Sequence, residues 1–497
     1  MRTASWLLIL PLLTGLTASR AQHIAVGSYA VPKGLIGTAG ITTGPDHALW
    51  FTGYWGNSIG RITTSGEMKE FALPTALSWP WGITEGPDHS LWFTETRNNK
   101  IGRITTSGAI TEYLVPTEYV TPWAIASGPD GALWFTENSG NVGRVTTDGV
   151  VTEFPLPPST DGYPNGPYGI VAGPDGALWF ALQGANCIGR ITTKGDVTEY
   201  PLPNAHSDPD FITVGPDGAL WFTEEGGDRI GRITTAGAIT EFSTSVSPIG
   251  ITTGPDNALW FTQDFGGVGR ITTSGSITLY STPVAPNQPG SIISGPDGEL
   301  WFVEDQGIGQ AVFVTAGLEV TPTAGHFPAS LLFSGSGFAP SEKVEIYTGG
   351  VGSPALATGT ADSTGSFQVA ATAPPSGYGP RFFLGVGQNS GKLGAAGFSM
   401  MPSLLLSTDS GTPGSTVTVS GYGFDTSLNP DDVSFGQINI YWNNPRTLMG
   451  TVEPNFHGSV VGDGSFTFTV PSTTPAGPNG IIAWGPPAVA SIPFTVQ

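Results

Sequence analysis

The sequence predicts an all-β protein, a seven-bladed β-propeller followed by two β-sandwich modules of immunoglobulin-like type. Three observations carry this. A phrase of the form Gly-Pro-Asp-x-x-Leu-Trp-Phe occurs seven times, starting at Gly44, Gly86, Gly128, Gly173, Gly215, Gly254 and Gly295. Its intervals are 42, 42, 45, 42, 39 and 41 residues, and a period near forty marks a blade of four strands. The chain also holds 72 glycines and 43 prolines against 11% charged residues, a punctuation that suits short strands and tight turns.

From the N-terminus, Arg2 and the apolar run "WLLILPLLTGL" read as an export signal, with Ser19 and Ala21 as the small residues before a cut. Residues 1–21 are therefore expected to be removed. The run is too short to span a bilayer, and no other stretch is long and apolar enough to do so. The mature chain is expected outside the cell, or in the cell envelope, as a monomer.

Each repeat then divides into four strands, with "WGIT" at Trp81, "ALWFT", "IGRITT" and "ITEY" or "VTEF" as examples. Pro and Asp of the phrase preset a tight turn between the first and second strands. Trp and Phe of "LWF" supply large apolar area between neighbouring blades. The Arg of "IGR", at Arg61, Arg103, Arg144, Arg190, Arg232 and Arg270, is read as structural and paired with acidic groups of the repeat; the seventh unit has Gln310 there. That unit also ends without an "ITEY" strand. The mature N-terminus reads "IAVGSYAVP" from Ile24 to Pro32, so residues 24–32 are expected to supply the missing outer strand. Such closure removes an exposed edge and makes residues 22–316 the propeller.

Beyond Gly317 the repeat stops. "FSGSGFAPSEKVEIY" from Phe333 resembles "VSGYGFDTSLNPDDVSFGQINIYW" from Val419. Short alternating strands at this spacing predict two sandwiches, residues 317–401 and 402–497, with no catalytic cluster in either.

Charge and composition exclude some functions. The formal net charge of −21 disfavours nucleic acid and anionic lipid and suits cationic ligands or divalent metals. The single cysteine, Cys187, forbids an internal disulfide and reads as a small buried residue. Phosphate loops, paired zinc ligands and a Gly-x-Ser-x-Gly elbow are absent.

The repeat "GPDGxLWFTE…IGRITT.G.ITEY" resembles the streptogramin B lyase family, typified by virginiamycin B lyase, across all seven units. The resemblance implies a seven-bladed propeller that opens the ring ester of a cyclic antibiotic by elimination, with Mg²⁺ and no added water. It implies a His after a Pro at the start of the innermost strand in late blades, with carboxylates beside it and just after "WF". A His there would take the proton next to the carbonyl, and a hard cation held by carboxylates would stabilise the enolate. This chain departs from the pattern. The corresponding positions are Ala39, Trp81, Trp123, Tyr168, Asp210, Ile249 and Gly290.

The substitute base to consider is His206, in the loop entering the fifth inner strand. His47 and His89 sit at turn tips on the opposite face. Glu224, Glu225, Glu304 and Asp305 follow "WF" and are the candidate ligands for Mg²⁺ or Ca²⁺. Trp79, Trp81, Trp123 and Tyr168, with Asp210, form a candidate binding mouth for a small molecule, a glycan or an extracellular protein; Tyr119 and Tyr163 lie in nearby loops. The expectation is a binding propeller without the family's base. The alternatives are a metal-dependent lyase with a displaced base and a propeller lactonase or hydrolase.

Overall fold

The structure is a computed structural model. It describes the chain apart from residues 1–4, 10–22, 158–165, 265, 281–289, 306, 327, 349–354 and 374–378, and, in the C-terminal part, 402, 423–427, 430–431, 436–437, 443–447, 453–465, 471–476 and 486–487. Two compact units divide near residue 313.

The first unit is a ring of seven sheets. Blade 2 represents the set, with Pro80–Glu85, Leu91–Glu95, Lys100–Ile104 and Ile110–Leu114 lying side by side, each antiparallel to the next. The first strands touch one another in order round the axis, and Ile292–Ser294 of blade 7 returns to Thr38–Thr43 of blade 1. Blade 7 takes its fourth strand, His23–Ala30, from the N-terminus.

The repeated phrase is a clamp. Its turn is closed by Gly44 N–H donating to the Ala48 carbonyl (2.8 Å), with the residue before Ala48 in the left-handed region. That φ explains why Gly occupies this place in four repeats and Asn or His in the rest. The turn's Asp then reaches back over its own blade. In blade 3, Asp130 Oδ1 accepts from Trp134 Nε1 (3.0 Å) and Oδ2 from Arg144 Nε (2.7 Å). The same pair of bonds recurs at Asp46, Asp88, Asp175, Asp217 and Asp256. In blade 7, Gln310 Nε2 replaces the guanidinium on Asp297 (3.0 Å). The acidic partner of the repeated Arg is thus the Asp of the phrase.

Each clamped Trp is fully buried and stacks on the aromatic of its own fourth strand, as Trp92 does on Tyr113 (5.4 Å, 13°) and Trp134 on Phe154 (5.3 Å, 14°). Its other neighbours belong to the next blade, since Trp92 packs with Ile125, Leu133 and Phe135. The Thr after "WF" adds an inter-blade tie. Thr94 Oγ1 accepts from Gly82 N–H (2.9 Å) and donates to the Trp123 carbonyl of blade 3 (2.6 Å). Replacing Asp130 by Ala leaves a buried indole N–H and a guanidinium without their acceptor. A loss of about 1–3 kcal/mol is expected, read as a lower urea midpoint at unchanged slope. Asp130→Asn should recover part of it through the Trp bond.

The second unit contains two pairs of sheets. In the first pair, Gly317–Thr321, Ser330–Ser336 and Phe367–Thr372 form three strands. Opposite them, Ala324–His326, Leu393–Met401, Gly379–Gly387, Lys343–Tyr347 and Ala357–Thr360 form five. Leu318, Phe333, Ile346, Phe383 and Phe398 fill one core drawn from both sheets, as a sandwich requires. The second pair repeats the strand order. It has Ser403–Leu406, Thr416–Tyr422 and Phe466–Thr469 in one sheet. Ser410–Gly411, Ala488–Val496, Gly477–Gly485, Ile438–Trp442 and Leu448–Val452 form the other. Each pair has one short parallel pairing, Ala324–His326 with Ser399–Met401 and Ser410–Gly411 with Thr495–Val496. The internal similarity read in the sequence is therefore a repeated topology.

Candidate functional site

One face of the ring is built differently from the other. The tight turns and their clamps occupy one side. On the opposite side the first strands of blades 2 to 6 begin with a buried Pro, and Trp81, Trp123 and Asp210, each directly after such a Pro, border the channel. Pro80 opposes Glu95, and the register then shifts before Ile83 opposes Phe93. This irregularity, repeated in blades 1 to 6, turns the second residue of the strand towards the axis. The loop before it carries paired left-handed residues, Leu77 and Trp79, Tyr119 and Thr121, and His206 and Asp208. Bulky residues at such φ values are strained and held by the surrounding structure.

The loop repeat settles the place of His206. It occupies the same point as Leu77 (57% exposed) and Tyr119 (88% exposed), at the outer tip, and is itself exposed. Its ring makes no hydrogen bond or ion pair among the described residues. His89 lies in a turn of the far face, 3.2 Å from Glu85. The late-blade positions Ile249 and Gly290 bring no titratable group to the channel.

Blades 1 to 4 contribute a continuous aromatic arc. Trp81 and Trp123 are 4.3 Å apart between centroids, and Trp123 meets Tyr168 edge-on at 5.5 Å. Tyr54 touches Trp81 (5.4 Å) and Trp79 (5.2 Å), and Trp55 meets Trp79 at 5.8 Å. Arg97 lies over Trp79 at 4.5 Å. Tyr54, Trp55 and Arg97 belong to loops between second and third strands and were not among the residues expected from sequence. Their signal was "GYWGN" at Gly53–Asn57, in a loop that emerges on the same face. A cleft of about 720 Å³ opens between Tyr54, Trp79, Arg97, Tyr119 and Trp123. The axial channel holds about 200 Å³, bordered by Trp81, Trp123 and Asp210. Tyr163 lies outside the described residues.

Blades 5 and 6 contribute acids. Burial, with the nearby Glu225 charge, pushes the Asp210 carboxyl up to about 7. Glu225 is also raised, first by desolvation and then by Asp264 and Asp208. The Tyr168 phenol is raised by burial and by the charges of Asp210, Glu225 and Asp208. Asp208, Asp210 and Glu225 therefore gather on one side of the mouth, beside the Tyr168 end of the arc.

The expected metal ligands do not converge. Glu224 is buried on the side of its blade, 3.9 Å from Arg229 Nη1, because strand alternation puts it on the face shared by Leu220 and Phe222. Glu225 is one residue further, at the mouth. Glu304 is buried and accepts from Ser28 Oγ of the closing strand, while Asp305 is exposed. Among the described residues no group of three or more His, Cys, Asp and Glu is placed to hold a metal ion. Glu224, Glu225, Glu304 and Asp305 thus do not fit one Mg²⁺ or Ca²⁺ site.

Glu95 and Glu137 share the place of Glu224 in blades 2 and 3 and are fully buried. Each lies beside the Glu of its fourth strand. Lys100, 2.6 Å from Glu112, supplies a cation in blade 2, as Arg229 does in blade 5. Blade 3 has Asn141 instead, which donates to Glu137 Oε2 (2.8 Å). Burial of the Cys187 thiol, with the Glu199 charge, pushes it up to about 11, which fits a structural residue.

A sequence model described as the virginiamycin B lyase family matches residues 14–166 and 160–322. Among solved structures, a selenomethionine-substituted virginiamycin B lyase from Staphylococcus aureus is 38% identical, with a TM-score of 0.56 over 59% of this chain and all of that one. A catalytically inactive His-to-Ala variant of the same enzyme, with quinupristin, is 37% identical with a TM-score of 0.56 over 59% of this chain and 100% of that one. The extracellular domain of a one-component system from B. thetaiotaomicron, 12% identical with a TM-score of 0.50 over 77% of this chain and 61% of that one, shares the fold alone. On a match that runs across all seven blades and more than half of its length, the chain belongs to the virginiamycin B lyase family.

Proposed function

We propose that the protein is an exported propeller that binds a ligand at the loop mouth and does not perform the family's elimination. The observation that carries this reading is the ring of residues after each inner-strand Pro or its equivalent. It holds three aromatics and one carboxylic acid and no histidine. An elimination needs a base within hydrogen-bond reach of the proton it takes, and His206 stands at an outward loop tip. What remains is a concave, aromatic-lined mouth with a few converging polar groups, the usual form of a small-molecule site. Export is supported by the N-terminal signal pattern. Among the described residues no helix is long and apolar enough to cross a membrane.

The test is incubation of purified protein with a type B streptogramin and Mg²⁺, followed by chromatography with mass detection. Untouched antibiotic is the expected result. A ring-opened product of unchanged mass would overturn the reading in favour of a lyase, and a product heavier by one water would indicate a hydrolase.

A further inference from the structure

Resting on that reading of the mouth, we infer that the ligand it selects is an organic ammonium ion, seated against Trp81 and Trp123 and paired with Asp210. Three independent features meet there. The first is the cavity of about 200 Å³ whose wall includes both indoles and Asp210. It has room for a small organic cation, since a water takes roughly 30 Å³ of liquid. The second is the make-up of the mouth, with carboxylates from blades 5 and 6 beside π faces from blades 2 to 4. Ring faces attract cations, most strongly when the cation is desolvated. The third is that Asp210 is orphaned. Its carboxyl has no hydrogen-bond donor and no ion-pair partner among the described residues, and Asp208 and Glu225 likewise form no ion pair. The equivalent places in the other blades hold Ala, Trp, Trp, Tyr, Ile and Gly, so the repeat does not require an acid here. A half-buried acid without a donor is costly, and a bound cation would relieve that cost.

A neutral ligand explains the aromatic arc and leaves Asp210 unused. An anionic one meets Asp208, Asp210 and Glu225 together. The titratable groups around Asp210 are Glu225 from the next loop of blade 5 and the neutral Tyr168 phenol from blade 4, with Asp208, from the loop before the Asp210 strand, and Asp264 of blade 6 beside Glu225. Arg97 lies across the mouth over Trp79. Because burial and Glu225 hold Asp210 near 7, pairing with a permanent cation should strengthen as pH rises through that value.

Choline and its uncharged carbon isostere, 3,3-dimethylbutan-1-ol, differ in charge at nearly constant shape. Titration calorimetry on the full mature chain is expected to show choline binding at least about ten-fold tighter than the isostere. That preference should grow from pH 6 to pH 8. Asp210→Asn should abolish both the preference and its pH dependence while leaving the isostere unchanged; Trp123→Leu should weaken both ligands. Equal binding of the two probes overturns the ammonium inference and leaves the mouth reading standing. Binding of neither overturns the inference, and the mouth reading then fails only if neutral sugars and a streptogramin are also silent. Displacement of choline by millimolar Mg²⁺ or Ca²⁺ overturns it in favour of a metal site.

Discussion

Tyr29→Ala should open the ring. Tyr29 is fully buried in the closing strand, stacks on Trp301 (5.4 Å, 18°) and donates to Gln310 Oε1 (3.1 Å). It fills in blade 7 the role of Tyr113 in blade 2, and its ring lies over the Gly66 turn of blade 1 as Tyr113 lies over the Gly149 turn of blade 3. Loss of a buried aromatic costs about 3–5 kcal/mol by cavity and transfer terms. A second consequence is special to this position. The fourth strand of blade 2 is tied to its own blade by a short turn, whereas Tyr29 and Gln310 are 281 residues apart. The closing strand is joined through the short segment before Thr38 to blade 1 and not to blade 7, so its detachment breaks the tie between the two ends of the ring, whose loop-closure entropy must be met again. Tyr29→Ala should therefore lower the urea midpoint more than Tyr113→Ala does. Hydrogen exchange should accelerate first in Leu300–Glu304 and Gly307–Val314. Tyr29→Phe, which keeps the stack and loses one hydrogen bond, should cost about 1 kcal/mol. If Tyr29→Ala and Tyr113→Ala are equally mild and exchange is uniform, the strand does not lock the ring.

The seven blades and the closing strand were legible because a single period wrote them. Each repeat carries a turn, an apolar second strand and an alternating fourth, and a ring follows once the last unit lacks what the N-terminus offers. The Trp–Asp–Arg clamp was half legible, since the sequence showed that Arg and Asp repeat together without showing that one carboxylate serves both indole and guanidinium. The mouth was legible where residues sit on the inner strand, as Trp81, Trp123 and Asp210 do, because a fixed offset from the Gly-Pro-Asp turn locates them. It was opaque where loops decide. His206 reads as a neighbour of Asp208 and Asp210 in the chain, yet a left-handed residue pair turns its side chain outward. Tyr54 and Trp55 stand in a loop whose counterparts in the other repeats carry a single aromatic, Phe265 of blade 6, so no period announces them. Glu224 and Glu304, which follow "WF", were read as candidate metal ligands. Strand alternation, which puts every second residue of "LWFTE" on one side, already places Glu95, Glu137 and Glu224 between blades with Phe rather than at the axis.

Those three glutamates contribute to the pH response of the fold, as does Glu299, which burial pushes up to about 9. Burial, aided by the neighbouring Glu112, Glu153 and Glu241 charges, raises Glu95 to about 7, Glu137 to about 8 and Glu224 to about 7. Each side chain is fully buried. Both oxygens of Glu95 and Glu224 and Oε1 of Glu137 lack a well-formed hydrogen bond. In the unfolded chain a glutamate titrates near 4.5. Between that value and the folded one, the native state binds protons that the unfolded state does not. Stability is therefore fully present below about pH 4.5 and is lost as pH rises towards 8. Each tenfold change in proton affinity between the two states corresponds to about 1.4 kcal/mol, so the three together lower stability on the order of several kcal/mol across the window. The clamps act in the opposite sense at lower pH. Burial pulls Asp46, Asp88, Asp130, Asp175 and Asp217 up, but bonds from Trp and Arg outweigh it and hold them below the usual range. Their contribution is lost as pH falls through those depressed values. The two groups together place the stability maximum in acid solution, between about pH 4 and 4.5. Thermal melts at pH 5, 6, 7 and 8 should show a falling Tm. Glu137→Gln, which keeps the Asn141 contact without a charge to bury, should melt above the unaltered protein at pH 8 and close to it at pH 5. A Tm that rises from pH 5 to pH 8, or a Glu137→Gln variant destabilised equally at both ends, would mean that these carboxyls are ionised and compensated in the folded blade.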